Sequence, residues 1–354
     1  MRSFECAPLA APCVSDFAAP DYLGLSRRAF LLQSAHAALD RPDPALHDVL
    51  TERLAAFAGA GVVRLFSSGA EAMQCALRHA AGDGQIVLDA GASPALQYAA
   101  GAATRAVTHY RHQDADSCRR MLADIRRSYS GPVVVAAEGF SPAFADAPKL
   151  AELSAACRRH DALLMVEASH DFGALGPDGR GAAGEQKALP LIDILTASFQ
   201  PTFAAAGGFL AMRKGPAPQT SAFAETMSAP AIARALAALD MIDSIEGAKL
   251  RVALMRNAAL LRDLLTLAGC AVAGQTAGVV SLRIGDETRA LTLAALCAQR
   301  GLRLRAICAP DVARGDARLA LSVSARHTEA ELRNAADIVK AAIAAADDSN
   351  ALAA

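Results

Sequence analysis

Tryptophan is absent from this 354-residue chain, and aromatic residues make up only 5% of it. The hydrophobic core must therefore be built mainly from the Ala, Leu, Val and Ile within an apolar share of 53%. Lysine is also scarce, and the only lysines are Lys149, Lys187, Lys214, Lys249 and Lys340. Any chemistry that requires a lysine amine has only these five side chains to use.

Neither sign of charge is in excess, since the formal net charge is −1. This balance gives no electrostatic reason to expect a nucleic-acid or membrane partner. No apolar run reaches the ~18 residues of a membrane span, and the first residues lack the pattern of a secretory signal. The eight cysteines include no C-x-x-C pair and no zinc-type spacing. We therefore expect a soluble cytoplasmic protein with reduced thiols and no metal site.

Short apolar strands alternate with helical patterns along most of the chain, which predicts an α/β fold. Residues 85–89 and 132–137 are typical buried strands, and residues 118–128 are typical of a helix. The stretch 191–214 predicts a buried strand, a turn and a second strand. Residues 302–308 predict one further strand, and the last helix is expected to end near residue 346. The length allows one large domain and one smaller domain.

Several motifs occur in the order and spacing of the α-oxoamine synthases, over residues 16–345. They include Asp-Tyr-Leu-Gly-Leu at 21–25, Glu-Gly-Phe-Ser at 138–141 and Arg-Leu-Ala-Leu at 318–321. Enzymes of this family use pyridoxal phosphate (PLP) to condense an acyl-CoA with an amino acid, releasing CO2. The resemblance implies PLP-dependent transferase fold type I. That fold has a mainly parallel seven-stranded sheet between helices, a small C-terminal α/β domain and a dimeric assembly.

The resemblance also implies a division of the chain. We expect an N-terminal arm at 1–15, an N-terminal segment at 16–45 and a large domain at 46–230. A small domain with its linking helix follows at 231–346, and a tail at 347–354.

A cofactor pocket follows from the same resemblance. Ser68, Gly69 and Ala70 open a helix, whose free N–H groups suit a phosphate. Glu167 stands where the family has the aspartate that keeps the pyridine nitrogen protonated, so that the ring acts as an electron sink. His170 stands at the family's histidine, although a structural role for it remains equally open. Ser198 belongs to the segment that carries the cofactor lysine in the family.

Four positions of this pocket depart from the family pattern. Pro201 occupies the position of the lysine that forms the Schiff base, and a proline has no amine. Ser93 replaces the histidine that stacks on the pyridine ring, and Ala320 replaces the arginine that binds the amino-acid carboxylate. Glu167 keeps the charge of the aspartate but is one methylene longer. Arg318 lies two residues from Ala320 on the same face and is not an obvious replacement.

These substitutions favour a degenerate member of the family that forms no covalent link to PLP, which could bind only non-covalently. The first hypothesis is a non-catalytic or scaffolding subunit, in a homodimer or in a heterodimer with a lysine-bearing paralogue. The alternative is a PLP-independent acyltransferase that uses acyl-CoA or an acyl-carrier protein. In that case His170 would be the base, with Ser93 or Ser141 nearby. A small-molecule sensor is a further hypothesis.

Overall fold

The structure is a computed structural model that describes residues 15–41, 43–215, 226–275 and 277–353. The strands within these ranges are β1 Ser15–Asp16, β2 Val62–Phe66, β3 Gln85–Asp89, β4 Val107–Tyr110, β5 Val133–Glu138, β6 Leu163–Glu167, β7 Ile194–Ser198, β8 Gly208–Met212, β9 Val272–Ala273, β10 Val279–Gly285, β11 Leu302–Arg303, β12 Arg305–Ile307 and β13 Ala317–Ser322.

Helices surround these strands, and a 3-10 turn at Leu189–Leu191 precedes β7. The helices are α1 Ala29–Asp40, α2 Ala45–Ala58, α3 Gly69–Ala81, α4 Pro94–Ala103, α5 Ala115–Arg126, α6 Leu150–Arg159, α7 Gly181–Glu185, α8 Gln200–Phe203, α9 Ala229–Ile242, α10 Ile245–Leu267, α11 Glu287–Gln299 and α12 Glu329–Ala353. Among the described residues, none of these helices combines the length and the hydropathy that crossing a lipid bilayer would require.

The large domain is built on a seven-stranded sheet with the order β2-β8-β7-β6-β5-β3-β4. Strand β8 runs antiparallel to both of its neighbours, whereas every other neighbouring pair is parallel. The expected mainly parallel seven-stranded sheet is thus confirmed. Strand β5 is buried along its whole length, as its unbroken apolar run predicts.

Two hydrophobic clusters cover the two faces of this sheet. Along β5, Val134 belongs to one cluster, while Val133 and Val135 belong to the other. This alternation follows from the two-residue period of a strand, which sends successive side chains to opposite faces. Helix α3 contributes Ala76 and Leu77 to the cluster that contains Val134. The sheet is therefore sandwiched between helices and small apolar residues, without the help of tryptophan.

The parallel arrangement brings several chain positions to one edge of the sheet. Strands β3, β5, β6 and β7 end at Asp89, Glu138, Glu167 and Ser198. Glu138 and Glu167 are direct neighbours in register. Strand β2 has the same direction, so the start of α3 lies at this edge too. Ligand sites of open parallel sheets lie beyond this edge, which we call the carboxyl edge.

A four-stranded antiparallel sheet, with the order β12-β13-β10-β9, forms the small domain together with α10, α11 and α12. The expectation of a single strand over 302–308 is wrong in one respect. Leu302 and Arg303 pair with Ser15 and Asp16 in a separate two-stranded sheet, and Arg305–Ile307 joins the four-stranded sheet. The chain changes its pairing partner between Arg303 and Arg305, because Leu302 and Arg303 already pair with the N-terminal segment.

Two further segments differ from the expectation. The turn between β7 and β8 contains α8, with Pro201 in its first turn, where the missing N–H of a proline costs no helical hydrogen bond. Helix α12 continues to Ala353, past the expected end near residue 346. The expected arm at 1–15 lies outside the described residues except for its last residue.

Candidate functional site at the carboxyl edge

The start of α3 brings together the small residues that the sequence indicates for a phosphate. Ser68 caps this helix, and its Oγ accepts a hydrogen bond of 3.2 Å from the backbone N–H of Glu71. Gly69 is buried against β7, because a Cβ added to it would lie 2.5 Å from Ser198 Cβ. Ala70 follows in the first turn and is exposed. Ser68, Gly69, Ala70 and Ser198 are therefore close neighbours.

An acidic side chain lies in the same first turn. Ser67 Oγ donates a hydrogen bond of 2.8 Å to Glu71 Oε2, which holds the carboxylate at the helix start. Ser198 Oγ accepts a hydrogen bond of 3.2 Å from the Gln200 N–H. A carboxylate at this end stabilises the helix dipole but repels a bound phosphate. The first turn of α3 thus already carries an anion of its own.

Glu167 lies at the end of β6, and its carboxylate is bound by the residue two positions further on. Its Oε1 accepts hydrogen bonds from the backbone N–H of Ser169, at 3.0 Å, and from the Ser169 hydroxyl. Ser169 Oγ in turn accepts a hydrogen bond of 2.7 Å from the Ser198 N–H. The Ser169 hydroxyl is therefore engaged both as donor and as acceptor, and it links β6 to β7.

Three buried carboxyl groups lie side by side at this edge. Burial, together with the charge of Glu138, raises the pKa of Glu167 to about 8. Burial likewise raises the pKa of Glu138 to about 7 and that of Asp171 to about 7. Asp171 Oδ2 accepts a hydrogen bond of 2.8 Å from the Ala182 N–H, while Oδ1 has no partner among the described residues. Near neutral pH these groups are therefore partly protonated.

Sequence reasoning did not identify Asp171. The available signal was its position directly after His170, where the family pattern has a glycine. The Asp171 side chain fits because Gly139 and Gly181 leave room for it, and a Cβ on either glycine would lie 2.6 Å from Oδ2.

His170 lies beside the segment that contains Pro201. The Tyr22 hydroxyl lies 2.8 Å from His170 Nδ1, and the Tyr22 N–H donates a hydrogen bond of 3.4 Å to the Pro201 carbonyl. Burial, together with the charge of Arg305, lowers the pKa of His170 to about 4. His170 is therefore neutral near pH 7. When Tyr22 donates to Nδ1, the ring proton is on Nε2, which then acts as a donor rather than a base.

No lysine side chain is buried at this edge. Pro201 itself is buried within α8. All five lysines of the chain lie in the described ranges, and each is exposed to solvent. Lys149 and Lys249 form surface ion pairs with Glu152 and Glu246.

The two serines proposed as nucleophiles have hydrogen-bond partners other than His170. Ser93 caps α4, its Oγ accepts a hydrogen bond from the Leu96 N–H, and its own N–H donates to Glu138 Oε1 at 3.2 Å. Ser141 is buried, and its N–H donates to the Asp146 carbonyl at 2.8 Å. Over the described ranges, no hydrogen bond joins His170 to either serine.

A second histidine, which the sequence did not single out, lies near Ser141. His112 Nδ1 is 2.6 Å from Asp89 Oδ1, and its Nε2 is 3.3 Å from Asp146 Oδ2. Burial lowers the pKa of His112, but the hydrogen bonds to Asp146 and Asp89 outweigh this effect and raise it to about 9. The resulting imidazolium compensates the buried charge of Asp89, so this cluster holds the loops after β3 and β4 together.

On the small domain, Ala320 is buried in the central part of β13. Arg318 has two partners of its own, since its guanidinium lies 4.5 Å from the centre of the Phe144 ring and forms an ion pair of 2.9 Å with Asp316. That Arg318 does not replace the family's arginine stays a prediction.

Comparisons with known proteins agree with this architecture. The family model for aminotransferase class I and II matches residues 17–339. An 8-amino-7-oxononanoate synthase from Mycolicibacterium smegmatis is 33% identical over 351 residues, which cover 94% of this chain and 90% of the relative. The synthase from Geobacter metallireducens is 30% identical over 340 residues, covering 91% and 86%.

Among solved structures, one similar fold is a lysine-to-alanine variant of serine palmitoyltransferase from S. paucimobilis with a bound PLP–myriocin aldimine. Its TM-score is 0.87 at 21% identity, and the match covers 94% of this chain and 88% of that one. The chain belongs to the aminotransferase class I and II family and, within it, to the α-oxoamine synthases.

Proposed function

We propose that this chain is a non-catalytic or scaffolding subunit of an α-oxoamine-synthase-type dimer and forms no Schiff base with PLP. One observation carries the proposal: position 201 is a buried proline, while every lysine of the chain is exposed. The family's reaction is the decarboxylative condensation of an acyl-CoA with an amino acid. Bound PLP supplies the electron sink for that reaction, and it is normally anchored through a lysine amine.

The residues at the carboxyl edge do not fit a covalently attached PLP. An amine would have to come from Pro201 or from the polypeptide next to it, and α8 offers Gln200, Thr202 and Phe203 instead. The stacking position holds Ser93, whose hydroxyl is engaged at the start of α4. No other lysine takes the place of the missing amine, since Lys187 and Lys214 are the nearest to position 201 in sequence and both are exposed.

The electrostatics of the edge support the same proposal. Glu71 lies in the helix turn that would face a phosphate, and Glu138, Glu167 and Asp171 lie on the neighbouring strand ends. Burial raises the pKa values of Glu138, Glu167 and Asp171 to about 7 or 8, so these groups are partly protonated near neutral pH. The carboxylate of Glu71, at the start of α3, would repel a bound phosphate.

The PLP-independent acyltransferase remains a weaker alternative. A histidine with a pKa of about 4 is a poor general base near neutral pH, and its Nδ1 is engaged by Tyr22. The neighbouring Ser169 hydroxyl is already bound to Glu167 and to the Ser198 N–H. Non-covalent PLP is the other alternative, and the lysine-to-alanine variant of the palmitoyltransferase, which holds a PLP–myriocin aldimine, makes it worth testing.

The first experiment restores the missing amine. The unmodified chain, Pro201→Lys and the control Gln200→Lys are each mixed with one equivalent of PLP and passed through a desalting column. Gln200 is the exposed neighbour of Pro201, so the control places a lysine on the same helix but towards solvent. We expect only Pro201→Lys to retain the visible absorbance of an aldimine. An aldimine that the unmodified chain retains at one equivalent would contradict the proposal.

A second experiment tests the partner. We expect the tagged chain, isolated from its own cells, to form a homodimer or to carry a lysine-bearing paralogue. The purified homodimer should not turn over an acyl-CoA with any amino acid. Turnover by the homodimer that is abolished by His170→Ala would instead support the acyltransferase alternative and contradict the non-catalytic role. The same turnover assay is repeated with an acylated acyl-carrier protein in place of the acyl-CoA.

A further inference from the structure

The loop that follows β5 is bound by both domains, and it carries an aromatic side chain in a chain that has few of them. We call residues 141–146 the interdomain loop. It closes on itself, because the Ser141 N–H donates to the Asp146 carbonyl and the Ala145 N–H donates to the Ser141 carbonyl, each at 2.8 Å. Phe144 lies in this turn, and its side chain is partly buried. The loop is therefore a compact turn that presents one ring.

On the large-domain side, His112 contacts this loop twice. Its Nε2 lies 3.3 Å from Asp146 Oδ2, and its ring centre lies 4.4 Å from that of Phe144. Burial lowers the pKa of His112, but its hydrogen bonds to Asp146 and Asp89 raise it to about 9, so the imidazole is protonated near neutral pH. Phe144 therefore lies against a cation of the large domain.

On the small-domain side, Arg318 of β13 contacts the same ring. Its guanidinium carbon lies 4.5 Å from the centre of the Phe144 ring, and the arginine side chain is buried. The face of an aromatic ring attracts a cation, and the attraction is stronger where water is excluded. Phe144 is thus in contact with one cation from each domain, His112 and Arg318.

Two hydrogen bonds reinforce this contact between the domains. Ser281 Oγ, on β10, donates a hydrogen bond of 2.7 Å to the Ala143 carbonyl. The Gln275 N–H donates another of 2.7 Å to the Ala145 carbonyl. Both donors belong to the small domain, and both acceptors flank Phe144 in the sequence. Three consecutive residues of the interdomain loop are therefore bound to the small domain.

We infer that Phe144 is a latch that holds the small domain closed against the carboxyl edge, and that the charge of His112 sets the strength of this latch. Loss of the ring, of the Arg318 guanidinium or of one proton on His112 removes an attraction between the domains. The small domain then separates more readily from the interdomain loop. The inference does not depend on the proposed function, since neither PLP nor position 201 takes part in these contacts.

Other charged and titratable groups surround His112 and its partner Asp89. From β3, β4, α5, the end of β5, the interdomain loop and β13, they are Asp89, Tyr110, Cys118, Glu138, Asp146 and Arg318. Burial raises the pKa of Glu138 to about 7 and that of Cys118 to about 12, so neither group titrates together with His112. Burial also raises the pKa of Tyr110 well above its usual value. A change near pH 9 can therefore be followed at His112 itself.

Hydrogen exchange of the intact chain at pH 7, read by mass spectrometry, tests the latch. Phe144→Leu keeps an apolar side chain but removes the ring face. We expect amide protection to fall about tenfold in the segments that meet, 141–146 and 271–275, while the central strands of the large sheet keep theirs. Phe144→Tyr keeps the ring and should exchange as the parent does. The matched control Phe30→Leu removes a partly buried ring of α1 and should leave both segments unchanged.

A second pair of variants separates the cation contact from a general loss of charge. Arg318 and Arg283 lie opposite each other on neighbouring strands and both pair with Asp316, whereas the contact with Phe144 belongs to Arg318. We expect Arg318→Gln to lower the protection of the same two segments and Arg283→Gln to leave it unchanged. Adding Arg318→Gln to Phe144→Leu should lower protection no further, because the contact is already lost.

The titration of His112 distinguishes a latch from simple packing. In NMR titrations we expect a lower pKa for His112 in Phe144→Leu than in the parent, because the ring face stabilises the imidazolium. Phe30→Leu should leave this pKa unchanged. As the pH rises through about 9, the parent should lose protection in the two segments, after correction for the intrinsic rate of exchange, because His112 loses its charge.

Three results would each overturn the inference: unchanged protection in Phe144→Leu, equal effects of Arg318→Gln and Arg283→Gln, or an unchanged His112 titration in Phe144→Leu. Faster exchange over the whole chain in Phe144→Leu would also overturn it, because Phe144 would then be an ordinary part of the core. If Arg318→Gln does not fold, the three variants at positions 144 and 30 decide the question.

Discussion

The carboxyl edge of the large sheet and the β12 edge of the small sheet are built in opposite ways. On the large domain, Glu138, Glu167 and Asp171 are buried, and hydrogen bonds from Ser93, Ser169 and Ala182 hold them in place. On the small domain, Arg305 is exposed, and no described carboxylate pairs with it. Substitutions on the buried side should therefore change the stability of the fold. Substitutions on the exposed side should leave that stability nearly unchanged.

The largest effect is expected from Glu167→Ala. This change leaves the Ser169 N–H and hydroxyl without their acceptor in a buried place and also creates a cavity. We expect the free energy of unfolding to fall by about 3 kcal/mol. Urea denaturation at pH 6 measures it. The comparison variant Arg305→Gln should change the same quantity by less than about 0.5 kcal/mol, because the side chain is exposed. Equal losses in the two variants would remove the contrast between the sides.

The second prediction concerns pH between 6.5 and 8. The folded pKa of Glu167, about 8, is above its usual value of 4.5, so in this window the folded chain holds a proton that the unfolded chain has released. Stability therefore falls as the pH rises, by up to ~1.4 kcal/mol per pH unit from this group alone. His112, with a pKa of about 9, contributes in the same direction.

Glu167→Gln isolates the share of Glu167 in this pH dependence. We expect the variant to lose less stability than the parent between pH 6.5 and 8, as measured by urea denaturation at several pH values. His170 does not obscure the result, since its lowered pKa affects stability only between about 4 and 6.5. Parallel curves for the two proteins would show that Glu167 is ionised throughout this range.

Ser169→Ala should have the next largest effect. It removes one donor to Glu167 and the acceptor of the Ser198 N–H, which joins β6 to β7. A loss of about 1–2 kcal/mol in the free energy of unfolding is expected. The pKa of Glu167 should also rise, because a hydrogen bond to its charged form is lost. A stable variant with an unchanged pH profile would mean that this link is not maintained in solution.

The smallest expected effect is that of Tyr22→Phe, about 1 kcal/mol. The ring stays packed against Gly278, while the hydroxyl that contacts His170 Nδ1 is lost. Nitrogen NMR of His170 should then report a change in the balance between its two neutral forms. If that balance stays the same, the hydroxyl does not fix which nitrogen carries the proton.

Much of the fold could be predicted from the sequence because its signals are local. The apolar run of β5 and the two strands around α8 come directly from residue types, and the mainly parallel seven-stranded sheet follows from the family resemblance. The division of 302–308 into two strands could not be predicted, because it depends on pairing with Ser15 and Asp16, almost 300 residues earlier.

The candidate site was predictable only in part for the same reason. Ser68, Gly69 and Ser198 lie together as their motifs indicate, and Glu167 lies at the expected strand end. The pairing of Ala320 with Arg305 on β12 carries no motif, since it arises only from the strand register. Asp171 and His112 were missed because their roles depend on burial and on distant partners.

The central claim is that no lysine of this chain forms a Schiff base at the carboxyl edge. The most direct test is borohydride reduction in the presence of one equivalent of PLP, followed by intact and peptide mass spectrometry. We predict no adduct at any single lysine beyond the level seen on the unfolded chain, and a single adduct at position 201 in Pro201→Lys. A stoichiometric adduct on one of the five native lysines, formed only by the folded protein, would contradict this account.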